Sequence, residues 1–248
     1  MVDLHIHILP GIDDGAYSLH EALRMARMAV ECGVTAVAAT PHCNTPYDQH
    51  VLWSKAVHEE CEKFRQYLQA KGVNLQLYDG MEIFGTKETP RLLSEGMLHT
   101  LNNSRYPLIE FPFFDYDEGA TAVLDELLRM GYRPVVAHPE RYDYVQKFPR
   151  LLNLWLDMGC LLQVNRGSLL GRFGQRAEAL AYAMVSRGFV TCVASDAHTS
   201  TVRTPWLKDI FDVLSHEYSK NMANQLLQEN PMMILKDNDI KFEEPEWF

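Results

Sequence analysis

Val2-Asp3-Leu4-His5-Ile6-His7-Ile8 opens the chain with strict alternation of apolar Val2, Leu4, Ile6 and Ile8 against polar Asp3, His5 and His7. A period of two marks a β-strand, and it sends both imidazoles out of one face, two residues apart. Two histidines side by side at the end of an opening strand are a natural beginning for a metal site. A hydrogen-bonded structural pair has the same spacing, so the rest of the chain decides between them.

Beyond this strand, helices, most of them closed by glycine, alternate with short apolar runs. Ser18-Leu19-His20-Glu21 is a capping box, and Gly33 closes the helix that buries Ala22, Leu23, Ala26, Ala29 and Val30. A strand at 34–39 ends at Thr40-Pro41-His42. A helix over about 50–70 stops at Gly72, and a strand at 73–78 runs on toward Glu82. After a short helix near 88–94 comes a strand at 106–111 that contains Glu110. Helices at about 119–130, 149–158 and 174–187 end at Gly131, Gly159 and Gly188. They precede strands at 134–137, 160–165 and 190–195, of which the first leads into His138 and the last into Asp196. Helices over about 205–235 finish a single domain, 1–235, and the polar segment 236–248 is expected to be a loosely packed tail.

Seven short, almost wholly apolar strands separated by helices imply a parallel sheet covered by helices. No GxGxxG turn follows the first strand and no GKS/T phosphate loop occurs, so a distorted (β/α)7, TIM-like barrel is preferred over an open doubly wound sheet. The length of 248 residues and the 47% hydrophobic content suit such a domain. A net charge of −10 repels nucleic-acid backbones and argues against a nucleic-acid partner. Five cysteines without a CxxC pair indicate reduced thiols. With no basic-then-apolar leader and no apolar run near the roughly 18–20 residues that span a bilayer, a soluble cytoplasmic protein without membrane insertion is expected.

The strand ends carry the chemistry. His5 and His7 end the first strand and Asp14 lies in the loop after it. His42 ends the second, Glu82 the third, Glu110 the fourth, His138 the fifth, and Asp196 and His198 the seventh. Barrel active sites sit at that face. Nine such groups on one rim need cations between them, because an unpaired buried charge is costly. Imidazole and carboxylate without thiolate suit manganese, iron, zinc or magnesium. Nine ligands exceed what one ion needs, so two or three divalent ions with a bridging carboxylate are expected. Asp3, on the histidine face, could orient one imidazole or simply cap the strand end. Arg141 and Arg203 fall in loops at the same rim, and a guanidinium fork matches phosphate oxygens.

Asp3-x-His5-x-His7, Thr40-Pro41-His42, Glu82, Glu110, His138 and Ser195-Asp196-x-His198 resemble the motifs of the polymerase and histidinol phosphatase (PHP) superfamily. The stretches from His7 to Gly15, Leu108 to Phe111, Ala137 to Tyr142 and Ala194 to His198 are more similar still to one branch. That branch is the metal-dependent protein-tyrosine phosphatases of bacterial capsule and exopolysaccharide operons. The resemblance covers about residues 1–235, with no ligand missing. It implies a distorted seven-stranded barrel with three metal ions, usually manganese. It also implies a substrate, the phosphorylated tyrosine-rich tail of an autophosphorylating tyrosine kinase. Carried over, one ion would take His5, His7, Glu82 and Asp196, a second Glu82, Glu110 and His138, and a third Asp14, His42 and His198. Arg141 and Arg203 fall at the phosphate-binding arginines. The expected reaction is direct attack of a metal-bound hydroxide on phosphorus, with tyrosine phenolate, of pKa about 10, as leaving group.

Three other readings compete. Cys160-x5-Arg166 has the spacing of thiolate tyrosine phosphatases, but the residues between read as a buried strand rather than a phosphate-cradling loop. A small phosphomonoester such as histidinol phosphate could be the substrate of the same metal site. A non-catalytic metal-binding regulator docked on a kinase would keep the ligands without turnover. His20, His50, His58, His99 and His216 are expected in solvent, and the methionines at 25, 28, 130, 158 and 184 in packing. Oligomeric state is not legible.

Overall fold

The computed structural model describes residues 1–44, 53–114, 119–241 and 244–248. His50 and the expected first residues of the second helix lie outside the described residues. Strands and helices follow one another as β1 (Val2–Ile6), α1 (Leu19–Glu31), β2 (Ala36–Ala39), β3 (His42–Cys43), α2 (Ser54–Ala70), β4 (Gln76–Asp79), β5 (Glu82–Phe84) and α3 (Thr89–Ser94). Then come β6 (Leu108–Glu110), α4 (Gly119–Arg129), β7 (Val135–Ala137), α5 (Asp143–Lys147), α6 (Arg150–Met158) and β8 (Leu161–Asn165). The chain ends with α7 (Arg166–Leu169), α8 (Gln175–Ser186), β9 (Cys192–Ala194), α9 (Lys208–Glu217), α10 (Lys220–Asn224) and α11 (Asn230–Leu235). No described helix is long and apolar enough to cross a membrane.

The result is an α/β fold with two parallel sheets, β1-β2-β4 and β3-β5-β6-β7-β8-β9. Two of the seven expected strands are each broken in two, which accounts for both the strand count and the second sheet. The first break falls at Thr40-Pro41, where proline has no N–H to continue a ladder. The second falls at Gly80-Met81, where a Cβ on Gly80 would sit 3.2 Å from the Ala39 carbonyl and 3.1 Å from Leu101. Hydrogen bonds nonetheless carry on past both breaks: Thr40 N donates to Ile6 O at 3.0 Å and Glu82 N to Pro41 O at 3.1 Å. At the far edge Ile6 bridges Ala197 in parallel, and His7 N donates to Ala197 O at 2.9 Å.

Strand alternation divides the core. Ile109, Val136, Leu162, Val164 and Val193 pack into the large cluster that the helices cover. Leu108, Val135, Leu161 and Cys192 join a smaller cluster sealed by Ile234 and Leu235 of α11. On β6 and β8 the face that starts with Leu108 or Leu161 ends in Glu110, or in Gln163 and Asn165, all buried. One face of the sheet thus turns from apolar to polar toward the carboxyl ends of its strands.

Several local expectations are corrected. Ser18 caps α1 by accepting from Glu21 N at 3.2 Å, but Glu21 does not complete the box. Its buried carboxylate instead accepts from Ser200 N at 2.6 Å and pairs with Arg24, tying α1 to the loop that carries His198 and Arg203. The tail is docked rather than loose. Arg105 pairs with Asp237 and Asp239, Ile240 is buried, and Phe248 lies 4.8 Å from the Phe189 ring with the Arg187 guanidinium over it. His99 is buried rather than in solvent, whereas His58 is exposed as expected while bonding Asp79 at 2.6 Å. Met130 is exposed rather than packed.

Tyr142, fully buried, stitches the strands that end at the polar face. Its hydroxyl accepts from Phe111 N at 3.0 Å and donates to Ala137 O at 2.7 Å, linking the ends of β6 and β7. Tyr142→Phe leaves a buried N–H and a carbonyl without partners, and is expected to cost about 1–3 kcal/mol of stability, read by urea denaturation. Unchanged stability would show that other groups hold these strand ends.

Candidate metal centre

The strands that resume after the breaks place their first residues side by side. His42 on β3 pairs in register with Glu82 on β5, and Glu110 ends the neighbouring β6. His138 and Asp196 lie one and two residues beyond β7 and β9 in left-handed backbone, with φ of 34° and 49°. Such φ values are rare for residues with a Cβ and cluster at functional sites, where they re-aim a side chain. Gly15 lets the loop after β1 close, since a Cβ there would overlap the carbonyl and Cβ of His7. Asp13 and Asp14 are thereby held over the end of β1.

All nine expected ligands converge. Glu82 is the hub: its Oε2 lies 3.2 Å from His5 Nε2, 3.3 Å from His7 Nε2 and 3.0 Å from His42 Nδ1, and its Oε1 lies 2.9 Å from His138 Nε2. Asp196 Oδ1 is 3.6 Å from the Nε2 atoms of His5 and His7. Glu110 reaches His138 at 3.5 Å and His42 at 4.0 Å. Asp14, at the mouth, lies 3.5 Å from His42 Nε2 and 3.4 Å from His198 Nε2. The donors fall into four overlapping groups: His7, Asp14, His42 and His198; His5, His7 and Asp196; His5, Glu82 and His138; and His42, Glu82 and Glu110. The partition the resemblance implies is close, but His7 stands beside the Asp14 group as well as beside His5.

The donor set fits divalent cations. The Nε2 atoms of His5 and His7 face each other at 3.2 Å. Glu82 Oε2 and His42 Nδ1, both within the cluster, are buried and make no hydrogen bond. Lone pairs aimed at one centre without enough protons between them are what a cation site offers.

Electrostatics agree. Burial alone would push the Glu82 carboxyl up, but the His5 and His42 imidazoles beside it hold it well below the usual carboxylate range. Asp196 is likewise held low, against its burial, by His5 and by Arg203. Burial would lower His42, but Glu82 and Glu110 bring it up to about 9. Glu110, desolvated and facing Glu82, is pushed up to about 8. His138 is lowered to about 4 by burial. The pocket thus balances its acids with protons at positions where it could instead hold cations.

Both arginines stand at the rim. Arg203 pairs with Asp196 Oδ2, and Arg141 reaches the same oxygen at 3.1 Å. Arg141 is clasped between the rings of Phe113, at 4.7 Å, and Phe173, at 4.2 Å. The centre floors a cavity of about 410 Å³ whose apolar wall is Phe84, Pro112, Phe113 and Phe114.

Several supporting residues escape the sequence. Asp13 Oδ2 accepts from His7 Nδ1 at 2.7 Å and from His42 N at 3.1 Å. The Asp13-Asp14 doublet is a signal, but spacing does not say which acid turns toward the imidazole. Gln163 and Asn165 are visible only as polar residues in an apolar strand. Asp3 holds backbone instead of an imidazole, accepting from Ser195 N at 3.0 Å. The thiolate alternative fails. Cys160 is buried with its thiol pushed up to about 12 by burial, residues 161–165 are a strand, and Arg166 pairs with Asp209.

Known proteins share this chain throughout. The family described as "Capsular polysaccharide synthesis, CpsB/CapC" matches residues 1–236. Tyrosine-protein phosphatase YwqE of Bacillus subtilis is 34% identical over 245 residues, 99% of this chain and 95% of its own. Tyrosine-protein phosphatase CpsB of Streptococcus agalactiae is 32% identical over 254 residues, 97% of this chain and 100% of its own. A solved structure from work on YwqE of Bacillus subtilis and CpsB of Streptococcus pneumoniae, described as unique metal-dependent tyrosine phosphatases, superposes with a TM-score of 0.94. It is 33% identical and covers 100% of this chain and 99% of that one.

Cation binding must displace the protons on His42 and Glu110, since both carry them at neutral pH. Apparent affinity for a divalent ion is therefore expected to fall below pH 7 and to climb as pH rises toward 9, by about tenfold per unit for each proton displaced. Calorimetry in two buffers of different protonation enthalpy would read the released protons. A pH-independent affinity would contradict this.

Proposed function

This chain belongs to the CpsB/CapC family, and we propose that it is a metal-dependent tyrosine phosphatase acting on the tyrosine-rich tail of a bacterial tyrosine kinase that controls capsular or exopolysaccharide synthesis. One observation carries the reading. Nine donors converge in one cluster, six of them lining a cavity together with two arginines, in a chain alike along its whole length to named tyrosine phosphatases.

His5, His7, Glu82 and Asp196 would hold one divalent ion, Glu82, Glu110 and His138 a second, and Asp14, His42 and His198 a third. Glu82 is the shared carboxylate, as its contacts with four imidazoles support. Manganese is the favoured metal, with iron, zinc or magnesium as alternatives for the same oxygen and nitrogen donors. Bound there, such ions supply Lewis acidity that lowers the pKa of a water and neutralises charge on a phosphoryl group.

The chain's own groups do the rest. Arg141 and Arg203 offer guanidinium forks to phosphoryl oxygens, and the aromatic clasp fixes the first of them. The wall of Phe84, Pro112, Phe113 and Phe114 gives a phenyl ring an apolar surface to lie against. Phenolate, with a pKa of about 10, leaves without strong proton donation, so no general acid is required of the pocket. We read the two sheets as one distorted (β/α)7 barrel, supported by the Ile6–Ala197 bridge at one seam and the bonds across Pro41 at the other. Residues 1–235 form its single domain, with 236–248 as an appended segment. Five free, buried cysteines favour the cytoplasm.

Chelation is expected to abolish hydrolysis of a phosphotyrosine peptide, and added manganese to restore it. Arg203→Ala should lower kcat/KM by about 10²-fold or more, while Cys160→Ser leaves the rate unchanged. Full turnover after metal stripping would overturn the reading, and faster hydrolysis of histidinol phosphate than of the peptide would move it to small phosphomonoesters.

A further inference from the structure

β8 offers no candidate ligand, yet its two polar side chains, Gln163 and Asn165, are fully buried behind the centre. They share one face, opposite Leu162 and Val164. A continuous chain of hydrogen bonds runs through them. Asn165 Nδ2 donates to Asp196 Oδ2 at 2.6 Å, Gln163 Nε2 donates to Asn165 Oδ1 at 2.7 Å, and Gln163 Oε1 lies 3.0 Å from His5 Nδ1.

The direction of this chain is set at one end. Asp196 Oδ2 also takes Arg203 and Arg141, so it is an ionised oxygen that can only accept. Asn165 must therefore present its nitrogen to Asp196 and its oxygen to Gln163. Gln163 must then present its nitrogen to Asn165 and its oxygen to His5. An amide oxygen facing His5 Nδ1 requires the proton to sit on that nitrogen, which leaves the lone pair on Nε2. That is the atom 3.2 Å from Glu82 and 3.6 Å from Asp196 Oδ1. At the far end, with Oδ2 engaged, Oδ1 is left for the imidazoles. The backbone beneath is pinned as well: buried Glu140 accepts from Asn165 N at 2.9 Å and from Ser168 Oγ at 2.6 Å.

We propose that Gln163 and Asn165 are positioning residues, an amide relay that holds His5 as its Nδ1–H tautomer and Asp196 with Oδ1 toward a bound divalent cation. The relay couples a ligand on β1 to a ligand after β9 through the strand that supplies none. It rests on the reading of His5 and Asp196 as metal ligands. Partners behind ligands typically set metal affinity by about 10–100-fold when removed.

The test uses the full chain. Nitrogen-15 NMR of the zinc-loaded protein is expected to show the His5 proton on Nδ1, slow to exchange. Gln163→Leu should lose that protection and weaken manganese binding, titrated directly, by about 10–100-fold. Gln163→Glu, which keeps an acceptor for His5, should recover part of the affinity. Asn165→Leu should weaken binding in the same range and, by freeing Gln163 to turn, speed exchange of the His5 Nδ1 proton. A His5 proton on Nε2, or wild-type manganese affinity in both leucine variants, would overturn the relay. The wild-type spectrum decides even if a variant fails to fold. An affinity shift in a protein inert toward phosphotyrosine would uphold the relay while sinking the phosphatase reading.

Discussion

Glu82 cannot be ionised where it stands without positive charge around it. It is buried, Glu110 faces it, and a carboxylate moved from water to such a place is heavily penalised unless paired. The structure answers with imidazoles from two strand ends, those of β1 and β7, and from the start of β3 just past the strand break. Each brings a nitrogen to within 3.3 Å of one Glu82 oxygen or the other. Every other feature of the pocket serves to keep that arrangement in place.

Geometry explains the irregular backbone. A regular strand presents alternate residues to one face, so a single strand end can offer two ligands, as β1 does with His5 and His7. To add His42 and Glu82 the next two strands break and resume, and the resumed pieces set these residues directly opposite each other. His138 and Asp196 are turned by left-handed backbone, a conformation tolerated only where surrounding contacts enforce it. Tyr142 and Asp3 supply such contacts through main-chain hydrogen bonds beside each turned residue.

Much of this is legible because ligands and strand ends coincide in the sequence. Alternation in Val2–Ile8, apolar runs ending in His42, His138 and Asp196, and glycine stops after helices give element order and all nine converging residues. The strand breaks are not legible, since Thr40-Pro41 and Gly80-Met81 read equally well as strand ends or as interruptions. Nor is the return half of the Ser18 cap, because Ser200, which captures Glu21, is 179 residues away in the chain. The docked tail escapes the sequence for a related reason. Asp237, Asp239 and Phe248 look solvent-bound until Arg105, Arg187 and Phe189 are placed beneath them. Side chains that act through another residue carry no spacing rule, which is why Asp13, Gln163 and Asn165 emerge only in three dimensions.

The charge of the pocket runs against that of the molecule. The chain carries a net −10, a field that would repel a phosphorylated protein at long range. Inside the cavity the proposed loading sets four ligand carboxylates, Asp14, Glu82, Glu110 and Asp196, against as many as three dications and the guanidiniums of Arg141 and Arg203. The balance there is positive, and low-dielectric walls of Phe84, Phe113 and Phe114 keep it unscreened. A phosphate dianion is attracted once it is close, and the rings beside the centre give an aryl group an apolar surface to lie against. Phosphotyrosine carries a flat ring suited to that wall, which phosphoserine lacks. A preference for tyrosine can then arise from the apolar wall and local charge together, without any contact that reads the residue by name.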